Sequence, residues 1–446
     1  MQKPNVKVGI MNATAVRFIL NGSFHGGGGA VTGCHEVALS ADGTAIMLDG
    51  RLVGEQLEFT PDDMAGCSFG LFGVTIGRGF HWQRNEDQTF RGSLRFIVED
   101  GGVTAVNIIP VEEYLMSVIS SEMSATSSME LLKAHAVISR SWLLAQIGKC
   151  TVHADGHDKD CGKDGTVVNG SEILRWYDKD DHLNYDVCAD DHCQRYQGIT
   201  RQTSTSVSDA VRATEGEVLM YGGGLCDARF SKCCGGVFEE FRNCWQPIDV
   251  PYLSARRDTE SEDGYPDLTK ESNAREWILG NPDSFCNTGD GAVVSQVLNN
   301  YDQETADFYR WTVEYSQEEL AGIIKERSGI DFGQIVDLVP VARGTSGRLW
   351  KLEIVGTKRT MVIGKELEIR RTLSPTHLYS SAFTVEKCVD GGGDGDVPSR
   401  FILHGAGWGH GVGLCQIGAA VMGARGYSYT QILHHYFSGS SVEKIY

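Results

Sequence analysis

The chain has 446 residues, of which 41% are hydrophobic and 22% charged. That is length for one large domain or two to three ordinary ones, with the composition of a folded globular protein rather than a disordered one. A formal net charge of −19 excludes wrapping of nucleic acid, whose phosphates such a surface repels, whereas a neutral sugar polymer meets no such objection.

The opening stretch, MQKPNVKVGIMNATAVRFIL, lacks the apolar core followed by small residues that marks a signal peptide. Either the protein stays inside the cell or the chain begins after a removed segment. No later apolar run reaches the roughly 18 to 20 residues of a membrane-spanning helix, so no membrane span is expected. Up to about residue 107 the segments VKVGIM, AVRFIL, EVALS and LRFIVED alternate apolar and polar positions, with glycines 26–29 as punctuation. This predicts a β-rich N-terminal region, 1–107.

The period then changes. In VEEYLMSVISSEM, Leu115, Val118, Ile119 and Glu122 fall at i, i+3, i+4 and i+7, one stripe of a helix. Ser127 with Glu130 reads as a capping box opening a second helix, whose stripe is Leu131, His135, Ile138 and Trp142. From about 150 to 197 the chain is polar and rich in His, Asp and Cys, a long connection of the functional kind. Strand-like pieces resume at EVLMY and DARFS. A stretch at about 256–395 mixes the helical QEELAGIIKERSG with the strands RLWKLEIVG and KRTMVIG, and GGGDGD at 391–396 reads as a turn or short linker. LCQIGAAVMGA and the stripe Tyr429, Ile432, Leu433, Tyr436 and Phe437 predict closing helices. There is no internal repeat. The fold class expected is α+β.

Three groups of residues have the chemistry of a site. Glu122 places a carboxyl on the apolar face of its helix. Burial disfavours the charged form of a carboxyl, and a general acid working near neutral pH needs its proton. The plainer alternative is a rim glutamate reaching solvent or pairing with Lys133 or Arg140. The second group is GAGWGHGVGLCQIGAA (405–420), where glycines at 405, 407, 409, 411 and 413 flank Trp408 and His410 and lead into a helix. Glycine lets a backbone approach a ligand closely, tryptophan offers a flat face to a sugar ring, and a helix start presents N–H donors. A tight, buried glycine-rich turn is the competing reading, and the Lys-Ser/Thr of a phosphate loop is missing. The third group is His182, Cys188, His192 and Cys193, residue types that suit zinc, although the spacing is not the Cys-x2-Cys of structural zinc sites. Free or disulfide-bonded cysteines beside solvated histidines fit as well. The Asp-rich stretch 155–164 is not a calcium loop, because position twelve from Asp158 is Asn169 rather than Glu. Thirteen cysteines in all include the cluster Cys226, Cys233, Cys234 and Cys244. Adjacent Cys233 and Cys234 would pair with each other only through a strained ring, so metal binding and mixed pairing are both open.

Taken together, these segments resemble the SpoIID/LytB family of bacterial cell-wall proteins. PVEEYLMSVISSEMSATSSMELLKAHAVISRSW (110–142) is similar to that family's first signature, and GWGHGVGLCQIGAAVMGARGYSYTQILHHYF (407–437) to its second. GGVFEE after Cys234, SGRLWKLEIVG and SSAFTV also match its pattern. The resemblance runs from about 95 to 446, thin across 145–180 and 256–315. It implies a SpoIID-like region over 108–446 with a catalytic helix and an inserted lobe at about 256–395. The implied activity is a lytic transglycosylase cutting peptidoglycan glycan strands, in SpoIID-type members strands stripped of stem peptides. By the same resemblance Glu122 is the catalytic acid, zinc is held by His182, Cys188 and Cys193, and His192, Trp408, Gly409, His410, Gly411 and Gln416 contact substrate. LytB-type relatives imply the alternative of a glycan-binding enhancer of a cell-wall amidase. Either role implies a location outside the cytoplasm. A third reading, an intracellular metal or redox protein, comes from the cysteines and the missing signal. The chain departs from the family pattern where Tyr and His often precede Ser-x-Ser-Gly-Gly: here Arg229, Phe230, Ser231, Lys232, Cys233 and Cys234 come before Gly235 and Gly236. His135 stands at a usual Gln, and Cys415 at a frequent Ser.

Overall fold

The computed structural model describes the chain apart from residues 1–2, 78–82, 125, 153–164, 178–181, 191–192, 202–204, 262–263, 298–306 and 390–396, and apart from the side chains of 148–152. His192, the Asp-rich stretch 155–164 and the GGGDGD stretch therefore lie outside the described residues. The described chain is α+β.

Alternation drives the N-terminal part. Val6, Val8 and Ile10 on Asn5–Ala13, and Val16, Phe18 and Leu20 on Ala15–Gly26, are buried, while Lys7 and Arg17 between them face outward. The strands up to Pro110 pair antiparallel in one open sheet, filled by the rings of Phe18, Phe59 and Phe96 at centroid separations of 5.0 to 6.4 Å. Each such side chain contributes about 1.5–3 kcal/mol on burial. The polar connection adds a short strand to this sheet, Val187–Cys188, running parallel to Asn5–Ala13 with Gly9 opposite Cys188.

The strand Gly102–Pro110 leads directly into helix α1, Val111–Glu122, with Glu112 and Glu113 in its first turn, where the helix dipole favours acid. Leu115, Val118 and Ile119 are fully buried, as their spacing predicts. Glu122 is the last helical residue, and the backbone becomes extended at Met123. Helix α2, Met129–Val152, begins one residue later than the predicted box allows. Ser128 caps it, its Oγ accepting from the Leu131 amide at 3.3 Å, because the Ser127 hydroxyl is engaged elsewhere, donating to the Gln296 carbonyl at 2.8 Å. Glu130 is likewise diverted: it pairs with Lys133 at 2.9 Å and accepts from the Tyr429 amide at 2.7 Å.

Beyond residue 310 a second hydrophobic core gathers residues between Trp311 and Leu403. Helix α3, Gln317–Ser328, has a complete capping box at Ser316 and a left-handed Gly329 at its end. Strands Ile335–Arg343, Leu349–Gly356 and Thr360–Gly364 form a sheet that Glu172–Trp176 and Gly165–Asn169 extend. The polar connection thus supplies strands to two sheets, which its composition concealed. A three-stranded sheet, Arg310–Ser316, Arg400–Ala406 and Phe383–Cys388, delivers the chain to the glycine-rich loop. The chain closes with helices α4, Gln416–Ala424, and α5, Tyr429–Tyr436, and with a strand, Ser441–Lys444, paired to Glu217–Tyr221. Among the described residues no helix is long and apolar enough to cross a membrane.

Candidate functional site

A cleft of about 410 Å³ opens where α1, α2, the polar connection and the glycine-rich loop meet. Glu122 reaches it from the C-terminus of α1, and Trp142 and Gln146 from α2. Cys193 and Gln194 come from the connection, Arg229 to Lys232 from the segment after EVLMY, and Gly409, His410 and Gln416 from the loop and α4. Tyr177, Trp245 and Leu367 complete the wall. A parallel pairing of Phe230 and Ser231 with Leu414 and Cys415 fixes two of these segments against each other.

Glu122 is half-buried and, among the described residues, forms no hydrogen bond or ion pair. Both cations that would have made it an ordinary surface partner are taken, Lys133 by Glu130 and Arg140 by Glu112 at 2.7 Å. The last turn of a helix is the negative end of its dipole, the wrong end for a carboxylate by a few tenths of a kcal/mol. Glu122 therefore stands against local preference with no compensating contact among the described residues. Glu122 is also the one carboxylate among the described residues that line the cleft.

The glycine-rich loop turns through positive φ at Gly407, Gly409, Gly411 and Gly413. Gly411 packs under the cleft: a Cβ there would stand 2.5 Å from the buried Arg348 guanidinium, which ties the loop down by donating to the carbonyls of Cys234 at 3.0 Å and Gly409 at 3.2 Å. His410 Nδ1 accepts from the Val412 amide at 3.0 Å, which leaves the neutral ring's proton on Nε2. Burial, with Arg229, Arg370 and Arg348 nearby, holds this imidazole well below the usual histidine range. Trp408 is turned away from the cleft, stacked on Tyr379 at 4.1 Å and against Phe308 at 4.8 Å. The start of α4 is already partnered, since the Ile417 amide donates to the Lys232 carbonyl.

Gln416 points from α4 to His135 on α2, with 3.3 Å between Gln416 Nε2 and His135 Nε2, while Ser139 Oγ lies 3.2 Å from Nδ1. Burial, seconded by Lys232, lowers His135 to about 3. The unfolded chain takes up this proton below the ordinary value of 6.5, and the folded chain does not until about 3. Stability is therefore unaffected above pH 6.5 and is lost as pH falls from 6.5 toward 3. His135→Gln, which keeps a polar group there, is expected to flatten this acid loss by up to about 1.4 kcal/mol per pH unit, measured by denaturant melts between pH 4 and 7.

The structure brings His182, Cys188 and Cys193 together. Their donor atoms all lie within 4.8 Å of one another, with Cys193 Sγ 3.7 Å from His182 Nε2. The Cys188 amide donates to Cys193 Sγ at 3.4 Å, and His182 stacks on Tyr185 at 4.5 Å. Two thiols and an imidazole converging at half-buried positions are a fitting donor set for a metal. The trio stands in a wall between two cavities: Cys193 lines the cleft, while His182 and Cys188 line a neighbouring space of about 300 Å³ against the N-terminal sheet.

Several cleft residues gave no motif signal. The Arg229 guanidinium lies 3.9 Å over the Trp245 ring and pairs with Asp227 at 2.9 Å. The Tyr177 hydroxyl donates to Glu368. Their separation in sequence, from 177 to 368, explains why no local pattern linked them.

The family model described as "Stage II sporulation protein" matches residues 99–221, the span holding α1, α2 and the trio. A domain of unknown function matches residues 239–413. An uncharacterized protein of Brachyspira hyodysenteriae (strain ATCC 49526 / WA1) is 26% identical over 353 residues, 79% of this chain and 72% of its own. The amidase enhancer of Bacillus subtilis (strain 168) is 26% identical over 348 residues, 74% of this chain; the match spans 40% of that relative's length. Stage II sporulation protein D of the same organism is 21% identical over 342 residues, 76% of each chain.

Proposed function

Since the chain belongs to the SpoIID/LytB family, we propose that it acts outside the cytoplasm on the glycan strands of peptidoglycan, cutting them as a lytic transglycosylase. The observation that carries this reading is the single carboxylate, Glu122, among the described residues of a cleft otherwise lined by polar and aromatic side chains. Ordinary glycosidases place two carboxyl groups about the scissile bond. A transglycosylase needs one, because the sugar's own C6 hydroxyl replaces water and arrives already tethered.

In this mechanism Glu122 gives its proton to the oxygen joining N-acetylmuramic acid to N-acetylglucosamine, and the C1–O bond breaks. The C6 hydroxyl of the muramic sugar bonds to C1 and returns its proton to Glu122. One strand leaves with a free 4-hydroxyl and the other with a 1,6-anhydro end, and no water is consumed. The cleft volume of about 410 Å³ suits a short saccharide. Gln146, whose amide nitrogen has no partner among the described residues, offers that group to the sugar's hydroxyls and acetamido groups, and Trp142 and Tyr177 offer ring surface. Gly409 and His410 bring backbone and a neutral imidazole to the same wall.

His182, Cys188 and Cys193 would hold the zinc. Bound there, zinc would supply a fixed positive charge and rigidity to the wall that carries Cys193 and Gln194. The trio's own part is to hold that segment beside Glu122.

A second reading, a glycan-binding enhancer of a cell-wall amidase, is favoured by the relative that carries the name amidase enhancer. Mass spectrometry of products from stem-peptide-free strands separates the two. Anhydro-ended fragments are expected; intact strands that nonetheless co-sediment with the protein would move the assignment to the enhancer.

A further inference from the structure

A second donor cluster lies outside the cleft. The thiols of Cys234, Cys286 and Cys415 and the carboxylate of Asp258 each place one atom within 4.8 Å of all the others. All four residues are at most 2% exposed. They come from four segments distant in sequence, and the last of them, Cys415, immediately precedes Gln416 of the cleft.

The spacing is that of ligands around one ion. Cys234 Sγ stands 3.5 Å from Cys286 Sγ and 3.3 Å from Asp258 Oδ2. Sulfurs bound tetrahedrally at about 2.3 Å stand roughly 3.8 Å apart, whereas a disulfide needs about 2.05 Å. A fourth buried thiol, Cys233, also faces Cys286 and Cys415, but it does not belong to the group whose donor atoms all lie within 4.8 Å of one another. Asp258 is held as ligating carboxylates are. Its Oδ1 accepts from the Tyr436 hydroxyl at 3.0 Å and faces His435 Nε2 at 3.2 Å, which leaves Oδ2 turned to the sulfurs. Ser284 Oγ bridges Oδ2 at 3.4 Å and Cys286 Sγ at 3.1 Å. The α4 backbone closes the remaining side, since a Cβ on Gly418 would stand 2.6 Å from Asp258 Oδ2. A carboxylate and thiols so enclosed are stable as anions only with a cation among them.

We propose that Cys234, Asp258, Cys286 and Cys415 form a closed, structural zinc site, separate from the trio in the cleft wall. Three thiolates and one carboxylate suit zinc, and four protein ligands leave no position for a substrate. The ion clamps the start of α4 to the segments of Cys234, Asp258 and Cys286, and so holds Gln416 at the cleft.

The test uses the full chain purified under reducing conditions without chelator. Elemental analysis is run on the native protein, on Cys188→Ser/Cys193→Ser, and on Asp258→Asn, with zinc-edge X-ray absorption on the double variant. The double variant is expected to keep about one zinc per chain, with three sulfurs near 2.3 Å and one oxygen near 2.0–2.2 Å. Asp258→Asn is expected to carry less zinc than the native chain. Should Asp258→Asn fail to fold, the double variant still decides, because it leaves these four residues intact. Well under one zinc per chain in the double variant, an absorption shell containing nitrogen, or a disulfide mapped to Cys234, Cys286 or Cys415 in the native chain would overturn the site.

Discussion

Glu122→Gln is expected to lower the formation of anhydro-ended fragments from stem-peptide-free strands by about 10²–10⁴-fold or more, the usual contribution of a positioned acid. The amide has the same shape but no proton to give. No other carboxylate among the described cleft residues stands ready to substitute. The same variant is expected to fold as well as the native chain, within about 0.5 kcal/mol. Glu122 makes no hydrogen bond or ion pair among the described residues, and its carboxylate sits at the unfavourable end of α1. Binding to strands is therefore expected to survive while turnover does not. Product mass spectrometry with a parallel thermal melt reads both halves, and full turnover in Glu122→Gln would remove the residue from the mechanism.

The largest effect on stability is expected from Arg140→Met. Arg140 is fully buried and bonds Glu112 through two nitrogens, at 2.9 and 2.7 Å, while a third donates to the Glu217 carbonyl at 2.9 Å. Glu112 also accepts from the Tyr446 hydroxyl at 2.6 Å. One ion pair thus ties α1, α2, the strand Glu217–Tyr221 and the C-terminus. Removing the cation leaves a buried carboxylate uncompensated, a loss of about 3–5 kcal/mol. The paired change Arg140→Met/Glu112→Leu removes both charges and is expected to recover much of that loss. Denaturant melts of the three proteins check the order: native, then the pair, then the single variant. A single variant as stable as the native chain would show that Glu112 finds another partner.

Some of this was legible in the residues themselves. Alternation along VKVGIM and AVRFIL marks strands because successive side chains leave opposite faces, so a strand with one buried face must alternate. The i, i+3, i+4 stripe of Leu115, Val118 and Ile119 marks a helix for the matching reason. The polar connection shows its composition rather than a strand pattern, yet residues 165–169, 172–176 and 187–188 are strands. Their pairing partners, such as Val362 opposite Glu172 and Gly9 opposite Cys188, supply what the local pattern lacks. The capping box slipped by one residue for the same kind of reason: the partner of Ser127, Gln296, lies 169 positions away.

Local order alone put Glu122 on the apolar stripe of a helix with Leu115, Val118 and Ile119, and marked the glycine-rich stretch 405–413 as one where the backbone can turn or approach a ligand closely. It also put imidazole and thiols close together in the chain at 182–193. Tertiary structure decided everything that depends on distance through space. It gave Lys133 to Glu130 and Arg140 to Glu112, turned Trp408 to Tyr379, and set the trio in the cleft wall. It also gathered Cys234, Asp258, Cys286 and Cys415 into one point, the first and last of them 181 positions apart in the chain. A sequence pattern reports the period of a single element, whereas a site is made where elements cross, and their crossing is set by the packing of both cores.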